Sequence, residues 1–284
     1  MPRGDPFSKL CQRAASLAQP IAADLHTHTL ASDGDYTPSQ ILAFAEAAKL
    51  KAVAITDHDT LVGYDEARKL ESPVRLIPGV ELSTLWNGRE THILGLGFDP
   101  QNQPLRKLLQ QQCELRSARF NAIREALCER GLTLGADAHL ESTPSLGRRH
   151  IAKMLVKAAH AKSHFDAFQR FLLPLQMPPT QWIGIAEGIG CIRNAGGQVA
   201  LAHPHSEATE TDLRELQAMG MNAVEVSFPK ANRTRTAELR TWAANLGLLA
   251  TGGSDCHGRG TPAIGSHGIG ARELAAVTAS LSLG

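Results

Sequence analysis

The sequence predicts an α/β fold: a barrel built from β-α units and carrying an inserted small helical domain. Three observations carry that prediction. Short apolar runs alternate with amphipathic helical stretches over most of the chain, residues 99–180 abandon the alternation for helices alone, and metal-binding residue types recur where the apolar runs end.

Taken in order, residues 1–20 hold Arg3, Lys9 and Arg13, with Asp5, Gln12 and Ser16 interrupting any stretch that could form a signal-peptide core. They read as a tail or short leading helix, and the location as cytoplasmic. A strand is expected at 21–25. Thr37-Pro38-Ser39-Gln40 then opens a helix, with Thr37 as N-cap, Pro38 in the first turn, and Ile41, Leu42, Ala45 and Ala48 as its apolar face. Buried strands are expected at 52–56 and 74–77. Residues 80–98 read instead as a hairpin turned at Asn87-Gly88. If Trp86 pairs with Arg89, Ser83 pairs with His92, and side-chain alternation makes Glu81 and His92 diagonal neighbours, close enough to bind one ion.

From 99 to 180 the pattern is helical, with a long Arg-rich amphipathic stretch at 105–130 and two further helices within 149–173, and Pro174, Pro178 and Pro179 mark its exit. A helix over 181–194 resumes the barrel. Strands at 198–202, 223–227 and 248–251 follow, with helices at 211–219 and 234–246 between them. Strands alternating with helices imply parallel units, and about seven of them suggest a barrel. The division is therefore a tail at 1–20, a barrel at 21–98 and 181–284, and an insertion at 99–180.

Composition excludes several classes. No apolar run approaches the roughly 20 residues of a membrane helix. Cys11, Cys113, Cys128, Cys191 and Cys256 are far apart with no C-x-x-C pair, so reduced thiols are expected rather than a disulfide frame or zinc finger. A net charge of +1 is too small to coat long nucleic acid. The charge is unevenly spread: residues 99–180 hold 12 Lys or Arg against 7 Asp or Glu, a net +5 that leaves −4 elsewhere.

The 12 histidines are placed rather than scattered. Five motifs hold most candidate ligands: Asp24-Leu25-His26-Thr27-His28 with Asp33; Thr56-Asp57-His58-Asp59; Gly79-Val80-Glu81 with His92; Ala202-His203-Pro204; and Gly253-Ser254-Asp255-Cys256-His257. Each follows or ends a predicted strand, where α/β barrels keep their active sites. Imidazole and carboxylate suit Mn²⁺, Fe or Zn²⁺, and a carboxylate can bridge two ions. Such clusters bind phosphate oxygens and make hydroxide available near neutral pH, which suits phosphoester hydrolysis.

The series DLHTHT, SDG, TDHDT, GVE, AHP and GSDCH resembles the polymerase and histidinol phosphatase (PHP) family over nearly the whole chain beyond residue 20. The DLHTHT-SDG start, the hairpin ending in THILGLG, and Gly147-Arg148-x-His150 resemble the branch that hydrolyses nucleoside 3′,5′-bisphosphates and trims short RNA from its 5′ end. The resemblance implies a distorted seven-stranded β/α barrel with a trinuclear centre, commonly manganese with iron or zinc as substitutes. One ion would take His26, His28, Glu81 and Asp255, a second Asp33, His58 and His257, and a third His92, His203 and the bridging Glu81. Three departures stand out: Cys256 replaces a frequent aromatic, Arg149 replaces a proline, and residues 172–178 lack the Lys and Tyr-Val pair common in relatives. None is a predicted metal ligand.

Arg148 and His150 are the candidates for substrate binding, while Arg149 reads as surface. Lys230, Asn232 and Arg233 follow a strand end and are further candidates for a substrate phosphate. Asp57 and Asp59 flank His58 and are candidates for orienting it or a bound water. His205 reads as a rim residue; His139, His160, His164 and His267 as surface; Cys256 as packing. Gly252 and Gly253 allow close backbone approach. The expected function is a phosphoesterase removing the 3′-phosphate of a nucleoside 3′,5′-bisphosphate and hydrolysing short RNA, with the basic insertion as a lid over the second phosphate. The competing readings are a phosphatase of another small monoester, such as histidinol phosphate, and a non-catalytic PHP module.

Overall fold

The computed structural model describes residues 20–135, 140, 142–175 and 180–279. The expectations for the tail up to residue 19, for His139 and for residues 176–179 lie outside the described residues. In chain order the elements are β1 (Ala23–Thr27), α1 (Pro38–Ala47), β2 (Ala52–Ile55), α2 (Val62–Ala67), β3 (Arg75–Trp86), β4 (Arg89–Leu96), α3 (Gln103–Glu129), α4 (Arg148–Lys157), α5 (His164–Ala167) running into a π-helical turn (Phe168–Leu172), β5 (Ile183–Gly184), α6 (Ile185–Asn194), β6 (Gln198–Leu201), α7 (Glu210–Ala218), β7 (Ala223–Ser227), α8 (Arg233–Leu246), β8 (Leu249–Gly252) and α9 (Ala271–Ala279).

Seven strands, in the order β1-β2-β3-β4-β6-β7-β8, form a nearly closed mixed barrel, and β5 hangs on β3. The barrel is not wholly parallel, because the return arm of the hairpin takes a place in it: β4 runs antiparallel to both β3 and β6. The turn at Asn87-Gly88 sets the expected register, with Trp86 opposite Arg89 and Ser83 opposite His92. β3 runs unbroken through Pro78-Gly79, where the sequence suggests two strands. Its first residues pair with β2 and its later ones with β4. Pro78 stands at this change of partner, where its missing N–H costs the ladder least.

The barrel closes between β1 and the chain after β8. The N–H of Asp255 donates to His26 O at 2.9 Å and the N–H of His28 to Cys256 O at 3.0 Å. The buried Asp24 carboxylate accepts from the N–H groups of Ser254 and Gly265, each at 2.9 Å. Gly253 permits this approach, since a Cβ there would collide with the backbone and Cβ of His26.

The strands are apolar below and polar above. Ala54, Ile77, Leu94, Ala200 and Ala223 pack together. On the same pleat faces, two or four residues along, lie His58, Glu81, His92 and Glu225. Val80, Leu82, Ile93 and Val199 point the other way, against Ile189, Ile192, Leu213 and Leu239 of the outer helices.

α1 starts as expected, with Thr37 Oγ1 accepting from Gln40 N–H and the Gln40 side chain accepting from Thr37 N–H. Ala48 proves to be its exposed C-cap. α6 starts at Ile185 because Ile183 and Gly184 first pair with β3. α3 belongs to two cores: Leu105, Leu108 and Leu109 join the barrel cluster, while Phe120, Ile123 and Leu127 pack with Ile151, Met154 and Leu155 of α4. Among the described residues no helix is long and apolar enough to cross a membrane.

Candidate metal centre

All nine predicted ligands converge on one end of the barrel, around Glu81. Glu81 Oε1 lies 2.8 Å from His92 Nδ1 and 2.9 Å from His203 Nε2. Its Oε2 lies 3.1 Å from His58 Nδ1 and 3.2 Å from the Nε2 atoms of His26 and His28. Asp255 Oδ1 is 3.4 Å from His26 Nε2 and 3.3 Å from His28 Nε2, and Asp33 Oδ1 is 3.2 Å from His257 Nε2. Three sets each gather donor atoms within 4.8 Å of one another: His26, His28, Glu81 and Asp255; His28, Asp33, His58 and His257; and His58, Glu81 and His92. His203 and Asp255 are turned inward by backbone in the left-handed region, at φ 28° and 50°. Such strain in non-glycine residues collects at functional sites.

The donor set fits divalent cations. Glu81 Oε2, Asp33 Oδ1, His26 Nε2, His58 Nδ1 and both ring nitrogens of His28 are buried without a hydrogen-bond partner. Buried polar atoms are costly unless satisfied, and all of these but His28 Nδ1 face other members of the cluster as cation ligands do. Burial alone would raise the carboxylates of Glu81, Asp33 and Asp255, yet the surrounding imidazoles hold all three well below the usual carboxylate range. Burial likewise opposes charge on His28 and His92, but the neighbouring carboxylates prevail and push both up to about 9. The centre demands positive charge, as protons or as metal.

A family profile described as PHP domain matches residues 24–166. The 5′-3′ exoribonuclease Rnm of Salmonella typhimurium is 36% identical over 251 residues, covering 84% of this chain and 85% of the relative. The chain belongs to the PHP family. The 3′,5′-nucleoside bisphosphate phosphatase of Chromobacterium violaceum is 30% identical over 249 residues, covering 84% and 87%. Among solved structures, a Bifidobacterium adolescentis protein described as a metal-dependent phosphoesterase superposes with a TM-score of 0.84 at 30% identity, covering 93% of this chain and 96% of the other. The PHP chain is a metal-dependent phosphoesterase with buried clusters suited to several metal ions.

Residues behind the cluster fix its geometry. Glu225, wholly buried on β7, places Oε1 3.1 Å from His26 Nδ1 and accepts the His203 N–H at 2.6 Å through Oε2. Nothing in the sequence marks it, because a single Glu inside an apolar strand has no motif around it. Asp57 does not orient His58: its oxygens accept from Thr29 N–H, Thr29 Oγ1 and Ser32 Oγ at 2.7, 2.6 and 2.5 Å, bracing the turn that carries Asp33. Gly63 makes room for that brace, since a Cβ there would strike Asp57 Oδ2 and Thr29 Oγ1. Asp59 holds Arg116 Nε at 2.5 Å and accepts the Ser83 N–H at 2.8 Å. Cys256 packs among Ile41, Leu42 and Ile55, as expected.

Over the PHP cluster lies a cavity of about 190 Å³, whose far wall is Arg116, Arg119, Phe120, Ile123, Arg148, Phe168 and Trp182. Arg116 is tied to Asp59 and Arg119 to Glu90, and both guanidinium groups lie over the Trp182 ring, at 5.5 and 5.6 Å from its centroid. Arg148 is exposed and has no hydrogen-bond partner among the described residues. His150, expected to bind substrate, is instead buried away from the cavity lining, where its Nδ1 accepts the Gly147 N–H at 3.0 Å and burial lowers its pKa to about 4. Arg149 leans on the Asp33 carbonyl. Lys230 is exposed and does not line the cavity, and Asn232 caps α8. Arg116 and Arg119 were hidden in the sequence among the many arginines of α3.

Proposed function

We propose that this phosphoesterase removes the 3′-phosphate of nucleoside 3′,5′-bisphosphates, such as adenosine 3′,5′-bisphosphate, and hydrolyses short RNA from its 5′ end. The observation that carries this reading is one cavity with a cation-seeking cluster on one wall and Arg116, Arg119, Arg148 and Arg149 among its other lining residues, which suits a substrate with two phosphates. The relatives named above, 30–36% identical, carry names for these two activities.

In this reading His26, His28, Glu81 and Asp255 would hold one divalent ion, Asp33, His58 and His257 a second, and His92, His203 and Glu81 a third, with His28 and His58 close enough to be shared. An imidazole and carboxylate set without thiolate suits manganese, with iron or zinc as substitutes. When bound, the ions would screen the charge of the reacting phosphate and lower the pKa of water. The chain supplies the rest. Arg116 and Arg119 are held rigid by Asp59 and Glu90, and Arg148 is left to grip the phosphate that does not react. Phe120, Phe168 and Trp182 offer the nucleoside an apolar wall and exclude water. Residues 99–180 act as a lid on the barrel formed by 21–98 and 181–284. We place the protein in the cytoplasm, consistent with Cys113, Cys128, Cys191 and Cys256 all being free.

Turnover of adenosine 3′,5′-bisphosphate, histidinol phosphate and short 5′-phosphorylated RNA after loading with Mn²⁺, Fe²⁺ or Zn²⁺ tests the proposal. The bisphosphate and the RNA should be hydrolysed and histidinol phosphate should be far slower. A preference for histidinol phosphate would overturn the assignment.

A further inference from the structure

The space above the cluster has a neighbour. Past His92 and His203 lies a second hollow of about 340 Å³, lined by Trp86, Arg89, Thr91, Leu201 and the Pro204-His205 turn. Glu90, His92, Arg148 and His203 line both spaces, so the two share a wall. We propose that this outer groove binds the second nucleotide of a short RNA, on the 3′ side of the bond that is cut. The proposal rests on the substrate reading above.

The chemistry requires such a route. In hydrolysis the water oxygen bonds to phosphorus, the P–O3′ bond breaks, and O3′ takes up the proton that water loses. From a bisphosphate the products are a nucleoside 5′-monophosphate and inorganic phosphate. From RNA they are the same monophosphate and an RNA one nucleotide shorter with a 5′-phosphate. The phosphate at the cluster therefore stays joined to the rest of the RNA through O5′. That chain must leave by a path the first nucleoside does not fill.

The two spaces differ in the way the two halves of such a substrate do. The inner one is smaller and walled by the insertion through Phe120, Ile123 and Phe168, which suits one terminal nucleoside. The outer one is lined, apart from Arg148, by the β3–β4 hairpin and the end of β6 with the turn after it, at the molecular surface, so a chain of any length can run out of it. Trp86, half-buried at the end of β3, offers an indole face, and stacking on such a face tolerates any base. Arg89 supplies positive charge. Its ion pair with Glu207 is 3.4 Å long between side chains 57% and 76% exposed, weak enough for a phosphate to displace. Arg148 stands where the spaces meet.

The test is kcat/KM on adenosine 3′,5′-bisphosphate and on a 5′-phosphorylated RNA trinucleotide for Mn²⁺-loaded wild type, Trp86→Ala, Trp86→Phe and Arg89→Glu. Bisphosphate turnover should stay within about twofold in every variant. On the trinucleotide Trp86→Ala should lose roughly 5- to 150-fold, Trp86→Phe should recover most of it, and Arg89→Glu should lose about tenfold. Because Trp86 also packs against the barrel cluster, Arg89→Glu on its exposed turn decides the matter if Trp86→Ala does not fold. No loss on RNA, or equal loss on both substrates, overturns the groove. Wild type that cuts the bisphosphate but not the RNA overturns the groove and the RNA half of the substrate reading; wild type that cuts neither overturns that reading whole, whereas RNA turnover untouched by the variants overturns the groove alone.

Discussion

Removing Glu225 separates the support of the metal centre from the centre itself. With His26 Nε2 facing Glu81 and Asp255, the ring proton belongs on Nδ1, which donates to Glu225 Oε1 at 3.1 Å, while Oε2 takes the His203 N–H at 2.6 Å. Glu225→Ala leaves both donors buried without an acceptor, at about 1–3 kcal/mol each. Part of that cost falls on the fold and part on the ligands, which lose their fixed orientation. Loss of a carboxylate behind a metal-binding histidine lowers affinity roughly 10- to 100-fold, and Glu225→Ala should reach the upper end because two ligands lose support together. Glu225→Gln keeps an acceptor for one donor and should lose about tenfold. Competition with a chelator for Mn²⁺ measures this, with the melting temperature of the metal-free variants followed in parallel. Wild-type Mn²⁺ affinity in a folded Glu225→Ala protein would refute the positioning role.

Glu81→Gln removes the charge shared by five histidines and should lower turnover by orders of magnitude along with tightly held metal; elemental analysis showing full occupancy and normal kinetics would reject the bridging role. Arg148→Ala should lower kcat/KM for the bisphosphate about tenfold, the low end of a charged hydrogen bond because the side chain is exposed, with p-nitrophenyl phosphate spared; equal losses on both would assign Arg148 to the reacting phosphate or the fold. His28 and His92, raised to about 9, bind protons in the folded metal-free chain that the unfolded chain has shed above its ordinary 6.5. Their stabilisation is complete below pH 6.5 and lost as pH rises towards 9, so the melting temperature of chelator-treated protein should fall across that window and Mn²⁺ binding near pH 7.5 should release protons. A flat profile with buffer-independent binding heats would contradict this. Gly63→Ala should lower the melting temperature and weaken metal binding together, through the Asp57 brace; a change in neither would show that the turn adapts.

What the sequence made legible, it did through periodicity and fixed spacing. Asn87-Gly88 sets the hairpin register, and that register alone places Glu81 beside His92. Groups whose role depends on which neighbour they meet were not legible. Asp57 and Asp59 flank His58 symmetrically in sequence, yet one braces Thr29 and Ser32 and the other holds Arg116 and the Ser83 N–H. His150 keeps its motif spacing but turns its ring to the N–H of Gly147. Glu225 carries no motif, and only its burial beneath His26 marks it. α2 carries a weak helix signal because Gly63 interrupts a stretch of only six residues.

The closure between β1 and the chain after β8 also sets an order of assembly. Asp24 and Ser254, whose hydrogen bond shuts the barrel, are 230 residues apart. A contact that distant forms late, because the entropy of bringing its ends together is lost before any contact returns it. His26 and His28 are synthesised long before Asp255 and His257, so the set of candidate ligands is complete only once residue 257 has been made. A nascent chain that has not reached residue 255 lacks the last carboxylate and imidazole of the centre. The candidate metal centre of this phosphoesterase is thereby incomplete until translation has passed that point.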